Sequence, residues 1–231
     1  MRRADLSHVE AWFFDLDNTL YPAHSDLFSQ IDQRMAEFIA RFLEVDHITA
    51  RRYQKSYWES HGTTLSGMMA EHGMAAEPFL DYVHDIDVSV LSADPHLDAA
   101  LERLPGQKIV FTNGSLKHAQ RVLEQLRLAH HFEDIFDIAA AEFVPKPQPD
   151  PYRKLLAQTR ARAQTVAMFE DSAKNLLPAH ALGMTTVWVR GKSEWSGPDA
   201  HHTAEHIHHH TDELTGFLNT ALLRQRPDDQ A

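Results

Sequence analysis

Four short apolar runs punctuate the chain: AWFFDL (Ala11 to Leu16), KIVFT (Lys108 to Thr112), TVAMFE (Thr165 to Glu170) and TTVWV (Thr185 to Val189), with IFDIAA (Ile135 to Ala140) as a weaker fifth. Each is short and bounded by polar or turn residues, so each reads as a strand. The last four are separated by helix-like segments such as LKHAQRVLEQLRL and AKNLLPAHALG. That alternation predicts a parallel sheet with helices on its faces. Between Leu20 and Pro95 the period changes. In LFSQIDQRMAEFIARFL the apolar positions Leu27, Ile31, Met35, Phe38, Ile39 and Phe42 recur at helical spacing, and further helix-like segments follow. The expected architecture is therefore α/β: a Rossmann-like parallel-sheet core from residues 1–20 and 96–231, and an all-helical cap, 21–95, inserted after the first strand. A helical unit placed at the carboxyl end of a strand overhangs the crevice where open α/β sheets bind ligands, and would serve as a lid.

Composition narrows the partners. The 231 residues are 43% hydrophobic, enough for a sizeable core, and the net charge of −11 argues against a nucleic-acid polymer or an anionic membrane surface. A small anion is still admissible, because a local site can be positive in a negative protein. There is no cysteine, which removes disulfide and thiolate chemistry and fits a reducing compartment. The start, MRRADLSHVE, carries no apolar leader segment, and no window approaches a membrane span, so a cytoplasmic location is expected. The histidine-rich segment 201–210 reads as a solvated connection into a last helix capped by Thr211 or Asp212, because neighbouring histidines on a loop lack the fixed geometry of a metal site.

Candidate chemistry begins at WFFDLDNTLYP, Trp12 to Pro22, which sets Asp15 and Asp17 directly behind three aromatic residues. Burial raises the pKa of each carboxyl group and proximity makes the ionised pair repel, so something cationic is expected beside them. Three further groups fall at or after strand ends: Thr112, Asn113 and Gly114 with Ser115; Lys146 in VPKPQPDPY; and the pair Glu170 and Asp171 in MFEDSAKN. The carboxyl ends of a parallel sheet lie along one edge, so all of these can meet. Singly, each has a structural explanation as a helix cap, an ordinary turn or a solvated charge. Jointly they would require four coincidences at one edge.

The four groups, DLDNT, FTNGS, the lysine of PKP, and FEDSAKN, resemble in order the motifs of the haloacid dehalogenase superfamily, over nearly the whole chain and including a cap at the position of that superfamily's first cap class. The resemblance implies a phosphomonoester hydrolase in which Asp15 is the nucleophile that forms an aspartyl-phosphate. Asp17 would give a proton to the leaving oxygen and later take one from water. It implies Mg²⁺ as cofactor, held by Asp15, the Asp17 backbone carbonyl and Asp171, with Glu170 a further ligand or behind the ligands and Asn175 orienting the acidic group. Thr112 and the backbone amides of Asn113 and Gly114 would bind the phosphoryl group, and Lys146 would stabilise the charge spreading over its oxygens.

Members of the superfamily that displace halide lack an acid at the position of Asp17, so its presence points to phosphoryl transfer. A narrower resemblance, carried by LDNTLYP, GTTLSGM (Gly62 to Met68), YVHDIDVSVL (Tyr82 to Leu91) and PKPQPDPY, is to the pyrimidine 5′-nucleotidase subfamily, and implies UMP or CMP as substrate. Tyr21, His61, Thr63, Thr64, His84 and Asp85 are the residues expected to face the nucleoside, although Tyr21 could instead pack on the first cap helix and His84 and Asp85 form a helix-end polar network. A phosphatase or mutase of another small metabolite such as a phosphosugar, and a non-catalytic nucleotide-binding module, are the alternatives. The expected partner is a small phosphomonoester, and a monomer or a homodimer is expected.

Overall fold

The computed structural model describes residues 4–191 and 204–223. Among them, six strands form one sheet: β1 (Ala11–Phe14), β2 (Gln107–Phe111), β3 (Asp134–Phe136), β4 (Val166–Glu170), β5 (Thr185–Val189) and β6 (His209–Thr211). Every pairing is parallel and the order is β3-β2-β1-β4-β5-β6. The chain winds outward from β1 through β2 to β3, then crosses to β4 and proceeds the other way. The reversal lies between β1 and β4, the switch point at which open sheets of this kind leave a crevice.

Strand side chains alternate between two cores. Trp12 and Phe14 enter one with Val110 and Phe169, whereas Ala11 and Phe13 enter the other with Ile109 and Met168. The Phe14 and Phe169 rings stack at 4.7 Å across the β1–β4 pair. Helices α5 (Pro95–Glu102), α6 (Leu116–Leu126) and α9 (Leu214–Thr220) cover the first face; α7 (Pro149–Thr159) and α8 (Leu176–Ala181) cover the second. Because both faces are covered, the central strands read as unbroken apolar runs, which is the pattern the sequence carries.

Between β1 and β2 the chain forms the helical cap: α1 (Leu27–Phe42), α2 (His47–His61), α3 (Thr64–His72) and α4 (Ala76–Val83). Asp46 caps α2 and Thr63 caps α3 through their side-chain oxygens. Gly67 lets α3 close on α2: a Cβ there would lie 2.3 Å from the Tyr57 Cβ. Phe38 of α1 meets Phe79 of α4 edge to face at 5.2 Å. Asp94 then caps α5, which returns the chain to the sheet and packs beside α9.

Two expectations are corrected here. The histidine-rich segment is not only a solvated connection, because His209–Thr211 pairs with β5 in the register Val187↔His209. An edge strand is held by backbone hydrogen bonds and by contacts such as Thr186 Oγ1 donating to the His206 carbonyl at 2.7 Å, neither of which requires an apolar pattern. The cap of α9 is Glu213, whose carboxylate accepts from the Thr215 and Gly216 amides; Thr211 instead accepts from the Glu213 amide. Residues 1–3, with the leading arginines, and His201 and His202 lie outside the described residues. Among the described residues no helix is long and apolar enough to cross a membrane.

Candidate active site

The backbone sets the first carboxylate. The Asp15 amide still donates to the Phe169 carbonyl at 2.9 Å, so Asp15 leaves the sheet at the end of β1 held by its neighbour β4. Lys146 arrives from the loop before α7, and its position is fixed by the Asn113 side chain, which accepts from the Lys146 amide at 2.8 Å and donates to its carbonyl at 3.2 Å. The Lys146–Pro147 peptide is cis. The Lys146 ammonium donates to Asp15 Oδ1 and Glu170 Oε2, both at 2.7 Å, and to the Phe111 carbonyl at 2.8 Å. All three charged side chains are buried. Thus the ends of β1, β2 and β4 converge on one ammonium group.

The remaining groups build outward from this centre. Glu170 Oε1 accepts from the Ser172 amide and from the Asn175 side chain, both at 3.2 Å. Asn175 therefore orients Glu170. Thr19 donates to Asp15 Oδ2 at 3.2 Å, and the Asn18 amide lies 3.5 Å from Asp171. Thr112 Oγ1 accepts from the Gly114 amide at 2.9 Å, so in this structure that N–H is engaged within its own turn. Ser115 caps α6 by accepting from the His118 amide.

Three buried carboxylates face one ammonium, and the electrostatics show the imbalance. Burial, with Glu170 close by, pushes the Asp15 carboxyl up to about 7 in spite of Lys146. Asp171 is held well above the usual carboxylate range by burial and by the charges of Glu170 and Asp15. Burial opposes the charge on Lys146, but Asp15 and Glu170 outweigh it and raise its pKa. Oxygens of Asp15, Glu170 and Asp171 lie within 4.8 Å of one another, and the nearby Asn175 Oδ1 and Ser172 Oγ are buried without a hydrogen-bond partner among the described residues. An all-oxygen donor set with excess negative charge suits a hard divalent cation such as Mg²⁺.

Asp17 stands apart from that cluster in its partners. Its Oδ1 accepts from Tyr21 Oη at 2.6 Å and from His118 Nε2 at 2.9 Å. The environment lowers its pKa: burial opposes the charge, and His118 and Tyr21 more than offset it. The His118 ring is fully buried and stacks at 4.4 Å on His84, which the end of α4 brings down from the cap. His84 Nδ1 meets Ser115 Oγ at 2.9 Å, and burial together with His118 depresses its pKa to about 3.

A cavity of about 170 Å³ lies between core and cap, bordered by Asp15, Asp17, Thr112, Asn113, Gly114, Lys146, Glu170 and Asp171. Its cap wall is apolar: Phe28, Ile31 and Met35 of α1 with Phe79, Leu80 and Val83 of α4. Of the residues expected to face a nucleoside, Thr63, Thr64 and His84 line this cavity. Tyr21 is buried with its hydroxyl on Asp17, His61 pairs with Glu71 at 3.1 Å, and Asp85 pairs with Arg34 at 3.3 Å on the surface. Lys174 and Trp58 of α2 also border the cavity, the Lys174 ammonium 3.7 Å from the centre of the Trp58 ring.

His118, Trp58 and the apolar cap wall are site features that no sequence motif marked. His118 had a signal: it interrupts the buried stripe Ala119, Val122, Leu123 and Leu126 of α6, and a polar ring on such a stripe needs a partner.

A family model described as haloacid dehalogenase-like hydrolase matches residues 9–183. The chain belongs to that family. Phosphate metabolism protein 8 of Saccharomyces cerevisiae is 28% identical over an alignment of 193 residues, gaps included, that covers 76% of this chain and 60% of the yeast protein, so the chain spans less than two thirds of that relative. Among solved structures, a dehalogenase in an intermediate complex superposes with a TM-score of 0.59 at 18% identity, over 95% of this chain and 99% of the other. A phosphatase of the same family from Thermococcus onnurineus gives 0.59 at 16% identity, over 93% and 100%. At these identities the solved structures show a shared fold.

Proposed function

We propose that this hydrolase removes phosphate from small phosphomonoesters in a Mg²⁺-dependent reaction through an aspartyl-phosphate on Asp15, with pyrimidine nucleoside 5′-monophosphates, UMP and CMP, as its substrates. The fold is shared by dehalogenases and phosphatases, so it does not choose between them. The choice rests on Asp17, a second carboxylate bordering the same cavity as Asp15 and Lys146, where displacement of halide would need no proton donor.

In this reading the Asp15 carboxylate attacks phosphorus in line, and Asp17, ionised in the free protein and taking a proton once the negative phosphoryl group stands beside it, gives that proton to the departing alcohol oxygen. Water then attacks the aspartyl-phosphate, Asp17 takes the proton from it, and Asp15 is released with inorganic phosphate. Lys146 holds Asp15 and offers fixed positive charge to the phosphoryl oxygens, and the Thr112 hydroxyl with the Asn113 amide binds them, the Gly114 amide holding that hydroxyl in place. Asp15, the Asp17 carbonyl and Asp171 would hold Mg²⁺, with Glu170 either joining them or remaining on Lys146. When bound, the ion supplies charge that offsets repulsion between the nucleophile and the phosphate. The apolar cap wall, with Thr63, Thr64 and His84 as its few polar points, supports a flat base as the leaving group's far end.

Phosphate release measured across a metabolite panel, with Mg²⁺ and with EDTA, tests this. Release from UMP and CMP that EDTA abolishes is expected. Turnover confined to phosphosugars would overturn the substrate, and halide release from a haloacid without phosphatase activity would overturn the reaction.

A further inference from the structure

We infer that Tyr21 and His118 are positioning residues that together fix the Asp17 carboxylate for proton transfer to and from the leaving group. The inference rests on the proposed role of Asp17 as acid and base. Both donors meet the same oxygen, Oδ1, and they come from different parts of the core: Tyr21 from the turn after β1 and His118 from the first turn of α6. One hydrogen bond leaves a carboxylate free to pivot; two from separate directions fix its plane. Oδ2 then has no hydrogen-bond partner among the described residues and is the oxygen available for the proton.

The surroundings of His118 argue that this bond is the reason for the residue. Its ring is fully buried on an apolar stripe, and Nδ1 has no partner among the described residues. An orphaned buried nitrogen costs about 1–3 kcal/mol, a cost that a phenyl ring at the same position would not carry. Among the described residues the only side chain that Nε2 serves is Asp17, which requires the proton on Nε2. The ring itself is held by stacking on His84, whose carbonyl accepts from Arg121 of α6 at 2.9 Å, so the returning end of the cap braces the clamp.

Chemically, the clamp works at the moment the P–O bond to the alcohol breaks. The proton moves from Asp17 Oδ2 to the leaving oxygen, and the electron pair left on the carboxylate is met by the Tyr21 O–H and the His118 Nε2–H. In the second step a water proton returns to Oδ2 as the bond between phosphorus and Asp15 breaks. Substrates whose leaving group is a good one need no proton in the first step, so they expose what the clamp contributes.

The test compares kcat/KM for an alkyl phosphomonoester and for p-nitrophenyl phosphate, both with Mg²⁺. Tyr21→Phe and His118→Phe are each expected to lose about ten- to a hundredfold on the alkyl ester, the range for a hydrogen bond to a charged group, and less than about threefold on the aryl ester. His118→Gln, which keeps a donor near Nε2, is expected to recover most of the alkyl activity. Equal losses on both esters, or no loss on either, would overturn the clamp while Asp17→Asn keeps its own preference for aryl over alkyl. If Asp17→Asn shows no such preference, the acid–base reading and the clamp fall together. Should His118→Phe fold poorly, as thermal unfolding would show, Tyr21→Phe removes a single oxygen and decides the matter.

Discussion

The floor and the ceiling of the cavity are built on opposite principles. The floor, at the carboxyl ends of β1, β2 and β4, holds charged side chains that are buried and bonded to one another, with Lys146 on Asp15 and Glu170 and with Asn175 on Glu170. The ceiling, contributed by α1 and α4, offers apolar side chains and few hydrogen-bonding groups. Groups fixed on a sheet act the same way on every substrate, whereas an apolar lid senses the size and shape of what the phosphate carries. Substitutions in the floor should therefore change the rate for all phosphomonoesters, and substitutions in the ceiling should change the ranking among them.

The largest effect is expected from Asp15→Asn, which removes the proposed nucleophile: turnover should fall on the order of 10⁴-fold or more for every substrate. Folding should survive and even gain. With its carboxyl pushed up to about 7 against an unfolded value of 3.8, Asp15 binds a proton in the folded protein between those pH values that the unfolded chain does not bind. The wild-type protein without metal thus loses stability as pH rises through that window, by an amount on the order of a few kcal/mol. Urea unfolding in EDTA should show Asp15→Asn gaining on the wild type between pH 4 and 7 and keeping the gain above. A constant difference across that range would mean that Asp15 is not the strained group of the floor.

Next in size is Lys146→Met. It leaves Asp15 and Glu170 buried without their counter-charge, a change that costs about 3–5 kcal/mol when one partner of a buried pair is removed. Activity should fall about 10²–10³-fold on alkyl and aryl esters alike, because the charge acts on the phosphoryl group that all substrates share. A loss confined to one class of leaving group would assign Lys146 to the ceiling's work rather than the floor's.

The same contrast explains what could be read from the sequence. The floor was legible because its side chains sit at strand ends that short apolar runs mark, and because the types Asp, Thr, Lys and Glu-Asp each have a chemical reason to be there. Parallel strands buried on both faces announce themselves, as Val166–Glu170 and Thr185–Val189 do. β6 does not, since its residues are His209, His210 and Thr211 and its pairing is a backbone matter. The ceiling was legible as helices but not as a surface. Ile31 and Met35 carry the helical period, yet the period cannot say that these side chains meet a cavity rather than another helix. Tyr21 was expected to face a ligand or pack on the cap; its hydroxyl instead serves Asp17, a contact made over four residues of turn.

A ceiling substitution should accordingly be smaller and selective. Leu80→Ala removes apolar surface from the wall, at about 0.8 kcal/mol for each buried CH₂ equivalent, and should raise KM for UMP about tenfold. Its kcat/KM for a phosphomonoester too small to reach the wall should remain within about twofold of the wild type. Equal losses on both esters would show that α4 supports the floor rather than selecting the substrate.

The smallest effect is expected at the seam, where Lys174 of the core lies over Trp58 of the cap. Lys174 is half-buried; burial lowers its pKa against the charge of Glu170, and its ammonium lies on the indole face. A contact of this kind contributes about 0.5–2 kcal/mol and joins the two halves without touching Asp15. Lys174→Met should therefore lower the unfolding free energy by no more than that amount and make the cap easier to open, changing kcat/KM a few-fold in the same ratio for large and small substrates. Indole fluorescence can follow the opening, because Trp58 would lose its cation and gain water. An unchanged spectrum with a substrate-dependent loss would move Lys174 into the ceiling as a contact to the leaving group, and the line between selecting and reacting surfaces would then run through the turn that precedes α8 instead of between cap and core.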